Sequence, residues 1–133
     1  MDFVGAVPHD QVPQELARMD IFVALSRRES FGVAVVEAGA AGLPALVSDV
    51  GGLPEVVRDG VTGLVVPGEQ PQAAAAALAR LVRDAALRAR LGAAARAHVQ
   101  QHYAWPACVQ AMIALYQQHL PPPHGPEHRR PPA

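Results

Sequence analysis

The amino-acid sequence predicts an α/β fold in which a parallel sheet is followed by C-terminal helices. Its 133 residues contain three short, largely apolar runs, Ile21–Leu25, Ala45–Ser48 and Thr62–Val66, separated by segments of helical length. Runs without polar alternation are typical of parallel strands that helices cover on both faces. From Pro71 onward the strand pattern ends, and alanine-rich segments with apolar residues three and four positions apart predict helices.

The first part of the chain alternates strands with helices. Asp2–Val7 predicts a short opening strand that ends at Pro8, and Gln11–Met19 predicts a short helix. After the strand Ile21–Leu25, the segment Gly32–Ala41 has helical length. This alternation predicts a sheet whose strands are connected by helices.

Four more helices complete the predicted fold. A short one spans Pro54–Arg58, with proline at the first position, where its missing N–H costs no hydrogen bond. Longer ones follow at Ala73–Arg83, Ala85–Gln101 and Pro106–His119. The last helix is expected to be held by Trp105 and by a buried apolar stripe formed by Val109, Met112, Ile113 and Tyr116.

Composition excludes several classes of function. Half of the residues are hydrophobic, and the formal net charge of −1 gives no electrostatic case for binding nucleic acid or an anionic membrane. No apolar run is long enough to span a bilayer, and the N-terminus lacks a signal-peptide pattern. The single cysteine, Cys108, excludes an internal disulfide, so a reducing, cytoplasmic setting is expected.

No metal or other cofactor is expected. His98 and His102 are four residues apart, a spacing that can place two metal ligands on one helix face. No acidic residue or third ligand stands nearby, so two exposed histidines are predicted instead. The sequence also lacks an acidic metal-binding cluster of the Asp-x-Asp kind.

The most informative stretch lies between the strand Ile21–Leu25 and the helix that follows it. Ser30 is predicted to cap this helix, because its hydroxyl can accept a hydrogen bond from the first turn. The N–H groups of Phe31, Gly32 and Val33 would then point outward at the positive end of the helix, where an anion binds favourably. Gly32 has no Cβ and would let a ligand approach the backbone closely.

Two carboxylates flank these N–H groups. Glu29 precedes the turn and Glu37 lies more than one turn into the helix. Carboxylates accept hydrogen bonds from sugar hydroxyls, so the arrangement suits a molecule with hydroxyls at both ends and phosphate between them, such as a nucleotide-sugar. Taken alone, the two glutamates also fit ordinary solvated charges. Gly51 and Gly52 could allow a second close approach to a phosphate or sugar, or could simply form a tight turn.

Four motifs carry a family resemblance, and they occur in order: Ser26-Arg-Arg-Glu-Ser-Phe-Gly32, Glu37-Ala-Gly-Ala-Ala-Gly-Leu-Pro44, Gly51-Gly-Leu-Pro-Glu55 and Asp59-Gly-Val-Thr-Gly63. Together they resemble the C-terminal nucleotide-sugar domain of retaining glycosyltransferases of the GT-B fold, specifically glycosyltransferase family 4 (group 1). The resemblance implies a Rossmann-like sheet, as part of a GT-B C-terminal domain, over residues 1–119. Residues 120–133 are proline-rich and are predicted to be a disordered tail.

The resemblance also implies roles for individual residues. Glu29 matches the first of two family glutamates, which lies near the donor sugar, and is the expected catalytic residue. Glu37 matches the second, which holds the ribose hydroxyls. The predicted donor-binding set comprises Ser30, Phe31, Gly32, Val33, Glu37, Gly51 and Gly52.

Parts of the family pattern have no counterpart in this sequence. In the family, two further strand–helix units with a basic pair precede the matching segment, and an acceptor domain forms the other wall of the cleft. Arg18, Arg27 and Arg28 do not match the basic pair by motif. We therefore expect the chain alone to be inactive. We also expect unpaired strand edges to cause self-association, or to require a missing N-terminal part.

Three functions are consistent with these observations. The first is the donor-binding portion of a glycosyltransferase that moves a sugar from a nucleotide-sugar to an unknown acceptor with retention, in a complete enzyme that is cytoplasmic or peripheral to the inner face of the membrane. The second is a non-catalytic truncated remnant or fragment. The third is another sugar-nucleotide enzyme of the GT-B fold, such as an epimerase, which analysis of the donor product would distinguish.

Overall fold

A three-stranded parallel sheet organises the molecule. The computed structural model describes residues 2–119, so the predicted tail at 120–133 lies outside the described residues. Strands β1 (Phe22–Ala24), β2 (Ala45–Ser48) and β3 (Gly63–Val66) lie side by side in that order. Phe22 pairs with Ala45, and Ala45 pairs with Gly63. The predicted α/β class and the parallel sheet are confirmed.

Helices connect and cover the strands. A 3-10 turn at His9–Gln11 leads into α1 (Val12–Leu16); α2 (Val33–Ala40) connects β1 to β2, and α3 (Leu53–Val56) connects β2 to β3. After the sheet come α4 (Pro71–Arg83), α5 (Ala85–His102) and α6 (Trp105–His119). None of the helices in the described residues has the length and apolar character needed to cross a membrane.

Two cores lie on opposite faces of the sheet because successive strand side chains point to opposite sides. On one face, strand residues pack against α4 and α5, and the cluster comprises Leu46, Leu64, Val66, Ala74, Leu81, Leu87 and Leu91. On the other face, they pack against α2 and α3 in a cluster of Val35, Ala45, Val47, Leu53, Val56 and Val57. Every residue of β2 is buried, which explains why its sequence shows no polar alternation.

Helix α5 reaches α2 and the turn that follows it through two close contacts at glycines. A Cβ on Gly39 would lie 2.8 Å from Cγ2 of Val99, and a Cβ on Gly92 would lie 2.1 Å from the carbonyl oxygen of Gly42. The absence of side chains at both positions lets the helix axes approach closely. Packing of α5 therefore fixes where α2, and the loop that precedes it, stand relative to the sheet.

The predicted opening strand is absent from the structure. Residues 2–7 have no regular secondary structure, and Phe3 and Val4 are 88% and 65% exposed. A strand needs a neighbour to complete its backbone hydrogen bonds, and none of the described strands lies beside this segment. For a related reason β1 is only half-buried, with Val23 43% exposed, since in the described residues it forms an edge of the sheet.

The expected burial of the last helix is also wrong. Trp105 is 80% exposed, and Met112, Ile113 and Tyr116 of α6 are exposed as well. Their helical spacing indicates an apolar face, but spacing does not say what covers that face. Within the described residues, α6 adds no residue to the two cores on the sheet.

Candidate functional site

The predicted site begins in the loop between β1 and α2, which follows the carboxyl end of β1. Here Glu29 turns back on its own chain, and its Oε1 accepts hydrogen bonds from the N–H groups of Ser30 at 3.0 Å and Phe31 at 3.4 Å. A carboxylate beside two backbone N–H groups is held by charge-assisted hydrogen bonds. The loop therefore has a defined shape without a ligand.

The start of α2 differs from the prediction. The residue before the helix is Gly32, which has a left-handed φ of +93° and no side-chain cap. Ser30 is not the N-cap, because a cap reaches N–H groups two or three residues ahead and the helix begins later, at Val33. Glycine fits the position because it adopts this φ without strain. A Cβ there would also meet Cδ2 of Leu53 at 2.8 Å.

Backbone N–H groups remain open at the positive end of α2. The carbonyl of Gly32 accepts from Val35 and Val36, but within residues 2–119 no acceptor is recorded for the N–H groups of Gly32, Val33 or Ala34. Val33 is 62% exposed, so solvent reaches this end of the helix. Of the three N–H groups predicted to point outward, those of the buried Gly32 and the exposed Val33 have no recorded acceptor, whereas that of Phe31 is bonded to Glu29.

Glu37 lies in a separate cavity, one turn further along α2. Its Oε1 is 3.8 Å from Nδ1 of the exposed His9, and its side chain is 32% exposed. The cavity has a volume of about 300 Å³ and is lined by His9, Val12, Pro13, Glu37, Ala40 and Ala41. Glu29 does not line it. The participation of His9 was not predicted, because none of the four family motifs includes this residue.

Gly51 and Gly52 form the turn after β2, and they contact the Glu29 loop directly. Gly51 has a φ of +53°, and a Cβ on it would lie 1.6 Å from the carbonyl oxygen of Glu29. A Cβ on Gly52 would lie 2.6 Å from the carbonyl oxygen of Ser30 and 3.0 Å from Cα of Phe31. Both glycines are thus required by the packing of one loop on the other. The structure brings Glu29, Ser30, Phe31 and the two glycines together.

An aromatic residue from the far end of the chain supports this loop pair. The ring of Tyr103, at the end of α5, meets the ring of Phe31 edge-on, with centroids 5.7 Å apart. Its hydroxyl donates to the carbonyl oxygen of Glu55 in α3 at 3.2 Å. Sequence analysis did not find this residue, because no local pattern links Tyr103 to positions so far away in the chain.

Behind Tyr103 lies a histidine that was expected to be exposed. His98 is only 9% exposed, because it shares the inner face of α5 with Leu91, Ala95 and Val99. Burial, followed by the nearby positive charge of Arg58, lowers the pKa of His98 below its ordinary value of 6.5. Burial, followed by the charge of Glu55, raises the pKa of Tyr103 above 10.0. The tyrosine is therefore a neutral hydrogen-bond donor at physiological pH.

The positive charge of Arg27, in the loop between β1 and α2, is partly compensated by the negative charge of Glu69. Arg27 lies 3.1 Å from the carboxylate of Glu69, and both side chains are exposed. They line a second cavity of about 300 Å³ at the carboxyl ends of the strands, together with residues that include Ser26 and Ser48. The hydroxyl of Ser48 donates to the carbonyl of Ser26 at 2.7 Å. This cavity lies beside the predicted site but contains none of its residues.

Comparison with known proteins identifies the family. The model of the family described as glycosyl transferases group 1 matches residues 1–98. The chain belongs to this family. Among its relatives, the D-inositol 3-phosphate glycosyltransferase of Streptomyces griseus is 42% identical over 110 residues, which cover 83% of this chain and 22% of that protein.

Solved structures agree with the group 1 assignment. Sucrose-phosphate synthase from Thermosynechococcus elongatus is 36% identical, with a TM-score of 0.81 over 88% of this chain and 29% of that one. HepE of Anabaena, solved in complex with UDP-glucose, is 27% identical, with a TM-score of 0.72 over 82% of this chain and 30% of that one. The GT-B fold and the group 1 resemblance are confirmed. This group 1 chain spans about a quarter of the length of the curated relatives it matches.

Proposed function

We propose that this chain is the donor-binding portion of a retaining glycosyltransferase that transfers a sugar from a nucleotide-sugar to an acceptor. The observation that carries the proposal is the start of α2, where open N–H groups at Gly32, Val33 and Ala34 stand beside the carboxylate of Glu29. The positive end of a helix attracts phosphate oxygens, and the carboxylate accepts from sugar hydroxyls. The loop between β1 and α2 thus offers N–H groups to the phosphates of a nucleotide-sugar and a carboxylate to its sugar.

Within this proposal, Glu29 is the catalytic residue beside the donor sugar. Ser30, Phe31, Gly32 and Val33 supply backbone groups to the sugar or the phosphates. Gly51 and Gly52 contribute by allowing the second loop to lie against the first, which is the role that their contacts support. The half-buried position of Glu29 and its two hydrogen bonds hold its carboxylate near these groups.

Glu37 is proposed to hold the ribose of the nucleotide. Its carboxylate lines a cavity of about 300 Å³ whose other walls are mainly apolar, as suits a ribose with an attached base. Two ribose hydroxyls can donate to one carboxylate. His9 lies close enough to contact the same ligand.

Turnover is expected to need groups beyond those described. A departing diphosphate develops negative charge, which cations normally stabilise, while a helix terminus supplies only fractional charge. Arg27, beside the loop, is already engaged with Glu69. We therefore propose that the chain binds a donor without turning it over, that no metal takes part, and that the complete protein supplies the acceptor site. We place that protein in the cytoplasm, free or against the inner face of the membrane.

The proposal is tested by calorimetric titration of the chain with UDP-, GDP- and ADP-sugars, starting with UDP-glucose, the ligand solved with HepE. The Glu37→Gln variant keeps the shape of the side chain but removes its charge, and should weaken donor binding by about tenfold. Glu15→Gln is the matched control, since Glu15 pairs with Arg18 outside both cavities. Failure of the unmodified chain to bind any donor, or equal binding by Glu37→Gln, would overturn the proposal.

A further inference from the structure

Tyr103, at the end of α5, contacts both the Phe31 loop and the short helix α3 that follows the Gly51–Gly52 turn. Its ring lies edge-on against Phe31, with an interplanar angle of 66°, and its hydroxyl bonds to the carbonyl oxygen of Glu55. Phe31 immediately precedes Gly32, and Glu55 lies in the short helix that follows the Gly51–Gly52 turn. A single side chain thus links the ring of Phe31, in the first loop, to the backbone of α3, which follows the second loop.

The anchor for this side chain is rigid. The backbone N–H of Tyr103 donates to the carbonyl of Val99 at 2.8 Å, which fixes the residue at the end of α5. The ring of His98 packs against it edge-on, with centroids 5.7 Å apart. Val99 in turn contacts Gly39 of α2. Tyr103 is therefore anchored to α5, which packs against α2, the helix that carries Glu37.

We infer that Tyr103 is a positioning residue that holds the Phe31 loop and the Gly51–Gly52 turn in the shape that binds the donor. The loop needs such support, because Phe31 is 43% exposed and its N–H is held only by the neighbouring Glu29. A binding loop that is ordered before the ligand arrives loses less conformational freedom on binding. The expected effect of Tyr103 on donor affinity rests on the proposed function. Its expected effect on the order of the loop does not.

The test uses the full chain and two substitutions. Tyr103→Leu removes both the aromatic contact and the hydrogen bond, whereas Tyr103→Phe keeps the ring and removes only the hydrogen bond. Tyr116→Leu and Tyr116→Phe are matched controls at an exposed tyrosine of α6. Amide hydrogen exchange is measured at Ser30 and Phe31, whose N–H groups are bonded, and, as a gauge of global unfolding, at β2. Affinity for UDP-glucose is measured on the same samples.

Loss of the aromatic pair should speed exchange at the bonded amides of Ser30 and Phe31 by about two- to tenfold in Tyr103→Leu, beyond any change at β2. Tyr103→Phe should restore most of this protection. Affinity for UDP-glucose should fall in the same order, while the Tyr116 variants match the unmodified chain. Unchanged exchange at Ser30 and Phe31, or an equal rise there and at β2, would overturn the inference. Absence of binding by the unmodified chain would contradict the proposed function instead, and the exchange result would still decide the role of Tyr103.

Discussion

Gly51 lies directly against the carbonyl of Glu29, at a distance that leaves no room for a Cβ. A Cβ on Gly51 would lie 1.6 Å from the carbonyl oxygen of Glu29, and this neighbour is backbone rather than a flexible side chain. The two residues belong to loops that follow neighbouring strands, β1 and β2. Their contact sets the position of the proposed catalytic carboxylate relative to the second loop.

Gly51→Ala is expected to separate these loops. The substitution adds a backbone clash to the strain of a left-handed φ, so the free energy of unfolding should fall by about 2–4 kcal/mol. Donor affinity should fall as well. Gly60→Ala is the matched control, because Gly60 has a φ of +71° but open space around its Cβ position. It should cost about 1–2 kcal/mol and leave donor affinity unchanged. Urea denaturation and calorimetry measure both quantities, and equal losses in the two variants would contradict the prediction.

Leu81→Ala should strongly destabilise the fold, whereas Val82→Ala should not. Leu81 is fully buried between α4 and the sheet, while the adjacent Val82 is 60% exposed. Truncation of a buried leucine leaves a cavity and costs about 2–5 kcal/mol. Truncation of an exposed valine changes stability by about 0.5 kcal/mol or less. Denaturant midpoints compare the two, and similar midpoints would show that α4 packs in a different register.

Stability should fall as the pH drops below the ordinary histidine range, and His98 should cause part of the fall. The pKa of His98 is lowered in the folded state, so the unfolded chain binds a proton more readily than the folded one. The stability contributed by the neutral ring is complete above a pH of about 6.5 and is lost as the pH falls toward the lower folded value.

Thermal unfolding between pH 5.5 and 7.5 tests this role of His98. His98→Leu should reduce the pH dependence, because the variant has no titrating group at that position. His102→Gln should retain most of it, since burial contributes more than the charge of His102 to lowering the pKa of His98. An unchanged slope in His98→Leu would show that other groups are responsible.

The outer edge of β1 should promote self-association of this chain. Among the described strands, β1 pairs only with β2, and Val23 and Leu25 are 43% and 49% exposed. An apolar strand edge with unpaired backbone groups favours pairing with another chain, and a lysine on the edge opposes it. Val23→Lys should therefore shift the chain toward monomer, while Val61→Lys, at an exposed turn, should not. Size-exclusion chromatography with light scattering measures the oligomeric state. A stable monomer of the unmodified chain would contradict the prediction.

The sequence was most informative where local pattern and tertiary environment agree. All of β2 is buried, so its apolar run predicted both its conformation and its position inside the fold. The helix Ala85–Gln101 was likewise predicted from apolar residues three and four positions apart, because Leu87 and Leu91 on one face of α5 meet one core. Asp2–Val7 has the same apolar character but no strand beside it, and the pattern could not reveal that.

In the site, the loop between β1 and α2 was located from its residues, but its internal contacts were not. The cap was assigned to Ser30, whereas Gly32 starts the helix and the carboxylate of Glu29 bonds to the loop. Tyr103 was missed because its partners lie 48 and more residues away, beyond any local pattern. Contacts between distant segments depend on how the elements pack, which spacing within a segment does not encode.

The hydrogen bond between Glu29 and the N–H of Phe31 changes the thermodynamics expected at this loop. A ligand oxygen that takes this N–H must first release the carboxylate, so binding there exchanges one acceptor for another. The net heat gained at Phe31 is therefore expected to be small. Release of Phe31 leaves the shorter bond from Ser30 to Oε1 of Glu29 intact, so the carboxylate stays in place while one N–H passes from the protein to the ligand.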